Sequence, residues 1–278
     1  MRIAGRRIRP AAVALNAAAA LLALLVLAPL LWMVTVSLMS TGEAAQFPPP
    51  ILPAMPTFEH YRSLFVDYGV GRYLLNSAAL ATLATLLALL FTLPAGYAFA
   101  KLRFRGRERT FQALVGALVI PGQIGMLPLF LMLKYMGLVN SYAGALVPWL
   151  AGIFGVFLVR QYALSVPDEM LEAARIDGAS EWQIFTRLVL PTLQPVIVTL
   201  ALFVFLGSWN DFLWPLIILS DQDLYTLPVA LAALSREHVQ DNELMMAGSV
   251  ITTLPVLIVF LALQRYYLSG LMAGSVKG

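Results

Sequence analysis

Six long apolar stretches, separated by shorter polar and charged segments, run along the chain near residues 12–38, 73–100, 110–134, 143–163, 195–220 and 246–267. Each is long enough to cross a hydrocarbon layer of about 30 Å at about 1.5 Å per helical residue. Backbone groups in lipid must satisfy one another, so each stretch is predicted to be a helix. The pattern predicts an all-α, polytopic membrane protein with six transmembrane helices, residues 1–278 forming a single membrane domain.

One polar segment between the fourth and fifth stretches, 165–194, has an organisation of its own. Ser165 and Asp168 fit an S-x-x-D capping box, and Pro167 suits an early helical position. Asp168, Glu169 and Glu172 fall in the first turns, where the helix dipole favours anions. Ala173 and Ala174 are small enough for close contact, and Gly178 fits the residue that ends such a helix. Ser180 and Gln183 fit a second capping box, and Trp182, Phe185 and Val189 fall on one apolar stripe. Pro191 and Pro195 then end the second helix. Two short helices at an angle are expected.

Two other polar segments are long. Residues 40–72 carry Pro48, Pro49, Pro50, Pro53 and Pro56 and are expected to be irregular, with a short interfacial helix over 57–65. Residues 221–245 carry Asp221, Asp223, Glu237, Asp241 and Glu243 and are expected to be an acidic, exposed loop.

Composition agrees with a membrane domain. Hydrophobic residues make up 60% of the chain and charged residues 12%, about half the share in soluble proteins. Mean hydropathy is +0.82. There is no cysteine, which excludes disulfides, thiolate metal sites and a Cys nucleophile. His60 and His238 lack a partner four residues away, so no metal site is expected.

Charge sets the orientation. With the N-terminus in the cytoplasm, six crossings put Arg2, Arg6, Arg7, Arg9, Lys101, Arg103, Arg105, Arg107, Arg109, Arg160, Arg175, Arg187, Arg265 and Lys277 inside. Only Arg62, Arg72, Lys134 and Arg236 lie outside. The positive-inside rule therefore predicts both termini in the cytoplasm. Topology explains the basic residues, and no nucleic-acid role is implied. The cluster from Lys101 to Arg109 is read as a topology determinant that also touches lipid headgroups. The first stretch is too long for a signal-peptide core and is expected to be retained.

None of Lys101, Lys134 and Lys277 follows a glycine, so no phosphate-binding G-x4-G-K-[ST] loop exists. Gly178-Ala179-Ser180 lacks the trailing glycine of a nucleophile elbow, and no H-E-x-x-H occurs. The chain is therefore expected to be non-catalytic and to bind no cofactor itself.

Polar groups within spans are costly and mark candidate solute-path residues. Asp211 and Asn210 lie in the fifth stretch beside Trp209. They either line a solute path, with Trp209 as a candidate stacking face for a sugar ring, or form interhelical hydrogen bonds that fix packing, the reading favoured for Asp211. Gln123 sits among Pro121, Gly122, Gly125 and Pro128, where a broken helix would free carbonyls toward a path or form only a packing kink. Asn76 opens the second stretch as a path residue or an interface cap. A secondary transporter would couple to ions through intramembrane charges and inverted repeats. Asp211 alone offers such a charge, and no repeat is visible.

The polar segment carries Glu172-Ala173-Ala174-x3-Gly178-x9-Leu188-x-Leu190-Pro191. This resembles the E-A-A-x3-G-x9-I-x-L-P loop of permease subunits in bacterial ABC importers, with leucine for the usual isoleucine at 188. Further stretches resemble the second permease of the carbohydrate-uptake, maltose-type group. They include Ala95-Gly96-Tyr97-Ala98-Phe99-Ala100, Ile120-Pro121-Gly122-Gln123 and Trp209-Asn210-Asp211-Phe212-Leu213-Trp214-Pro215-Leu216. The resemblance implies a bacterial inner-membrane subunit that forms half of the translocation path for a sugar or related solute. Glu172, Ala173, Ala174, Gly178, Leu188 and Pro191 would belong to a coupling element docked on a cytoplasmic ATPase. Lys277 and Gly278, in the C-terminal tail, would reach toward the ATPase dimer. The implied partners are a second permease, an ATPase dimer holding ATP and Mg, and an extracytoplasmic solute-binding protein.

Overall fold

The computed structural model describes residues 10–150, 152–237 and 241–275. In chain order the helices are α1 (Pro10–Ser37), α2 (Glu59–Val66), α3 (Val70–Lys101), α4 (Arg107–Ala117), α5 (Met126–Tyr135), α6 (Tyr142–Leu146) and α7 (Ile153–Leu164). They continue with α8 (Asp168–Ile176), α9 (Glu181–Gln183), α10 (Leu190–Thr192), α11 (Gln194–Trp209), α12 (Leu213–Ile218), α13 (Leu227–Glu237) and α14 (Asn242–Ser275). No strand occurs among the described residues.

Among the described residues, three helical segments are long and apolar enough to cross a membrane unbroken: Leu15–Ser37, Val70–Lys101 and Asn242–Ala262. Three bent pairs reach the same length and apolarity. Arg107–Ala117 with Gly122–Tyr135 bends by 97°, and Glu181–Thr192 with Gln194–Trp209 bends by 79°. The third is Tyr142–Trp149 with Ile153–Leu164. The first bend falls on the Pro121-Gly122 region, where the sequence predicts a broken helix. The second falls where Pro191 and Pro195 occupy first-turn positions of α10 and α11, which tolerate a missing N–H.

The chain divides into two compact units. The first contains the described parts of Met1–Gly69 and Leu234–Thr253. Its helix α1 is apolar on every side and exposes Leu15, Leu21, Leu25 and Leu31, as a lipid-facing helix does. The proline-rich segment after it is braced by carboxylates. Glu43 accepts from the N–H groups of Ser40 (2.9 Å) and Ala54 (2.7 Å), and Glu243 accepts from that of Ala44 (2.8 Å). The bonds from Ala54 and Ser40 hold the Glu43 carboxyl below the usual carboxylate range. His60 bonds the Met39 carbonyl oxygen at 2.9 Å and is buried in this unit.

The second unit contains Val70–Ala233 and the described part of Leu254–Gly278. Its axis is α3, which packs along α7 and α11. Small residues let these backbones approach, the usual device for helices associating in lipid. A Cβ on Gly155 of α7 would stand 2.8 Å from Thr92 Cγ2 on α3 and 3.1 Å from Leu200 Cδ1 on α11. One apolar core gathers Tyr97, Val159, Leu171, Ile184, Phe185, Val189 and Leu200. A second surrounds Leu80, Leu133, Ala145, Trp214 and Ile218.

Two expectations require correction. Residues 221–245 are not an open acidic loop: α13 occupies 227–237, Asp241 caps α14 by accepting from Leu244 N–H (2.8 Å), and Glu243 is only 1% exposed. Buried carboxylates need donors, and the Ala44 amide supplies one. Ser165 forms no capping box with Asp168. Its hydroxyl donates to the Tyr162 carbonyl at the end of α7, and Pro167 occupies the cap position of α8.

Candidate functional site

The segment 165–194 folds as the helix–turn–helix that its caps encode. Helix α8 ends in a Schellman motif. Gly178 has φ +84°, Ala179 N–H donates to Ala174 O (2.9 Å), and Gly178 N–H donates to Arg175 O (3.1 Å). Ser180 then opens α9 with a complete capping box: Gln183 N–H donates to Ser180 Oγ (3.3 Å), and Ser180 N–H to Gln183 Oε1 (2.8 Å). The next turns, Ile184–Val189, are π-helical rather than α-helical. The wider turn buries Ile184, Phe185 and Val189 together, and Trp182 leaves the predicted stripe to stand 67% exposed.

Helix α8 has two apolar faces. Leu171 and Ala174 pack into the unit's core, where Leu188 also packs. Met170, Ala173 and Ile176 form the other face and stand exposed, Ile176 to 86%. Glu172 and Asp177 on the same helix are exposed charges, and Trp182 of α9 is a further exposed apolar side chain of the element. Of the sequence-predicted coupling residues, Ala174 and Leu188 therefore support the element from inside, Glu172, Ala173, Gly178 and Pro191 are exposed, and Gly178 sets the turn. Lys277 and Gly278 lie outside the described residues.

Polar contacts fasten this element to α3. Lys101 Nζ donates to Val166 O and to Asp168 Oδ1, both at 2.6 Å, and its side chain is 4% exposed. Hydrogen bonding and charge from Lys101 hold the Asp168 carboxyl below the usual carboxylate range. Tyr97 Oη donates to Glu181 Oε2 (2.9 Å), while Arg175 Nε donates to Glu181 Oε1 (2.7 Å). Hydrogen bonding to Glu181 raises the Arg175 pKa further. The basic cluster is thus not a uniform headgroup patch: Lys101 is consumed inside the fold, while Arg103, Arg105 and Arg109 are exposed.

The opposite end of α11, 16 residues long, opens on a cavity of about 420 Å³. Gln123, Met126, Trp149, Gly207, Asp211 and Trp214 are among its walls. Asp211 lies not within a continuous span but at a break, 210–212, between α11 and α12. Its Oδ1 accepts from the Trp214 N–H at 3.3 Å, and Trp214 Nε1 donates to Gly144 O at 3.2 Å. Gly207 lets the Trp149 ring lie against α11, where a Cβ would stand 2.9 Å from it.

Gln123 and Asp211 are thus brought together, but other predicted path residues are not. Trp209 is 2% exposed and stacked on Phe205, so Trp149 takes the position of the aromatic wall. Asn210 turns back to donate to Leu206 O (2.8 Å). Asn76 stands inside α3, not at its cap. Its amide donates to Asp223 O and Tyr225 O (3.0 Å each), and its carbonyl accepts from Tyr142 Oη (2.7 Å). Trp149 and Gly207 carried no signal in the sequence, because neither is polar and their meeting depends on how α11 packs.

Residues 3–271 match the family described as binding-protein-dependent transport system inner membrane component. The chain is 38% identical over 242 residues to the arabinooligosaccharides transport system permease protein AraQ of Halalkalibacterium halodurans, covering 87% of this chain and 85% of that one. It is 33% identical over 257 residues to the lactose transport system permease protein LacG of Rhizobium radiobacter, covering 92% and 93%. Its fold matches a chain from the crystal structure of a bacterial ABC transporter involved in the import of the acidic polysaccharide alginate. The TM-score is 0.82 at 24% identity, over 96% of this chain and 100% of that one.

Proposed function

The chain belongs to the family of binding-protein-dependent transport system inner membrane components, and from that premise we propose that it forms half of the translocation path of an ATP-driven importer of oligosaccharides or related solutes. The observation that carries the reading is the second apolar face of α8, Met170-Ala173-Ile176, exposed on a capped, polar element that also exposes Trp182. An exposed apolar patch rimmed by charge fits a protein surface. A cytoplasmic ATPase dimer is the partner it fits, because this chain has no phosphate-binding loop of its own. ATP and Mg would then be bound by that partner, and catalysis would lie there. A second permease would complete the path, and an extracytoplasmic solute-binding protein would deliver the solute.

Both termini and the α8–α9 element would lie in the cytoplasm, as the distribution of basic residues requires. The cavity bounded by Gln123, Trp149 and Asp211 would then lie toward the solute path. Its volume falls within the range of about 300–1,000 Å³ common to small-molecule sites. An aromatic wall with a carboxamide and a carboxylate suits a hydroxyl-rich ring.

The test uses the absence of cysteine from the chain. Ile176→Cys is the single thiol in this subunit, and a benzophenone maleimide attached there, which on illumination inserts into C–H bonds and needs no thiol on the partner, should link it to the co-purifying ATPase. Failure to link, in membranes where the complex hydrolyses ATP, would refute docking through α8. Uptake driven by a proton or sodium gradient without ATP would refute the importer reading.

A further inference from the structure

The side-chain polar contacts of Tyr97 and Lys101, near the end of α3, converge on the α8–α9 element. Tyr97 and Lys101 are four apart and so share one face of α3. Each grips a different end of that element. Lys101 holds its beginning through Val166 O and Asp168. Tyr97 holds its turn through Glu181, and Glu181 is itself bound across the Gly178 turn by Arg175. Glu181 is thus the point where α3, α8 and α9 meet.

Between these grips α3 is also fixed to α7. Gly96 lies against Val159, and Arg160 Nε donates to Phe99 O at 3.2 Å. The rest of the junction is apolar: Tyr97 packs on Phe185 at 5.1 Å between ring centroids, within the core that holds Leu171 and Val189. Apolar contact is non-directional and lets helices slide, whereas hydrogen bonds to charged groups fix register and direction.

We propose that Tyr97 and Lys101 are positioning residues that lock α8–α9 to α3, so that displacement of the docked element moves α3 with it as one body. The proposal rests on the ATPase-docking reading above. It adds that the force route into the membrane runs through α3, which is joined to the element only by side chains, as well as through α7 and α11, which are joined to it by the chain.

The test is a distance measurement between spin labels at Leu90→Cys on α3 and Ile176→Cys on α8, in the complete complex with cysteine-free partners. It is made without nucleotide and with ATP and vanadate. With Tyr97 present the distance is expected to be the same in both states. In Tyr97→Phe, which removes one oxygen and keeps the ring packing, it is expected to differ between the states. ATP-dependent transport should then fall about tenfold, the lower end of what one hydrogen bond to a charged group carries. A merely structural role would change the spread of distances equally in both states.

Glu181→Leu repeats the test from the other partner, removing the acceptor of the Tyr97 hydroxyl, and it should give the same nucleotide-dependent shift. A distance that changes with nucleotide when Tyr97 is present, or no shift in either variant, would overturn the lock. The Ile176 cross-link separates the two ideas: a link without the shift sinks the lock alone, and no link sinks the docking reading and the lock with it.

Discussion

Gly96 of α3 and Val159 of α7 meet where those helices cross: a Cβ on Gly96 would stand 2.5 Å from Val159 Cγ1, 2.6 Å from Val159 Cβ and 3.1 Å from the Arg160 backbone nitrogen. Val159 is fully buried. Gly96→Ala must therefore move one helix away from the other, at a cost of about 1–3 kcal/mol. A lowered melting temperature in detergent measures this. Val159→Ala in the same chain should recover only part of the loss, because the alanine Cβ and the α7 backbone still obstruct.

Gly178 poses a different problem, since a Cβ there meets nothing within 4 Å and the constraint is its φ of +84°. Gly178→Ala should cost about 1 kcal/mol, with Gly178→Asn costing less because asparagine tolerates the left-handed region. Gly178→Asp should stay in the membrane and lose uptake. The damage falls on the exposed turn proposed to meet the ATPase rather than on this chain's core. Normal transport by the aspartate variant would rule out a coupling role for the turn.

Ser180→Ala removes the acceptor of the Gln183 N–H and half of the capping box. The expected loss is about 1 kcal/mol of local stability. Faster amide exchange over 181–184, with α3 unaffected, is the expected signature.

The Lys101–Asp168 pair predicts a pH dependence. The Asp168 pKa is lowered, chiefly by its hydrogen bond to Lys101. The contribution is therefore full above the unfolded carboxylate pKa of about 3.9 and lost as pH falls through the lower folded value. Asp168→Asn should melt below the parent protein at pH 5–8, and the difference should vanish in stronger acid. The effect should be small, because Asp168 is 74% exposed and solvent screens the pair.

In the cavity, Trp149→Ala should lower uptake by about tenfold if an aromatic face of ordinary strength, about 1–1.5 kcal/mol, holds the solute. Cross-linking of Ile176→Cys to the ATPase should be unchanged. Gly207→Ala should also lower uptake by displacing the Trp149 ring. Unaltered uptake in both variants would remove the cavity from the solute path.

Much of the α8–α9 element was legible in the chain because its signals are local. Gly178 terminates α8 through its own backbone conformation, and Ser180 with Gln183 starts α9 within one turn. Ser165 misled for the same reason: its spacing to Asp168 fits a capping box, but Lys101, far along the chain, claims the carboxylate. The cavity was legible only through its polar members. Gln123 and Asp211 stand out in apolar surroundings, whereas Trp209 looks the same in sequence whether it faces a cavity or, as here, stacks on Phe205.

The sequence by itself determined the helical membrane architecture, the capped helix pair and the lack of a phosphate-binding loop, since each rests on hydropathy, local hydrogen bonds or spacing along one segment. The tertiary structure alone decided that α8–α9 is fastened to α3 through Tyr97 and Lys101, that Asn76 ties α3 to the 223–225 turn and Tyr142, and that Trp149 lines the cavity. Those outcomes depend on which groups lie within hydrogen-bonding or van der Waals reach once α3, α7 and α11 pack. Close packing at glycines sets that distance, and residues far apart along the chain do not encode it locally.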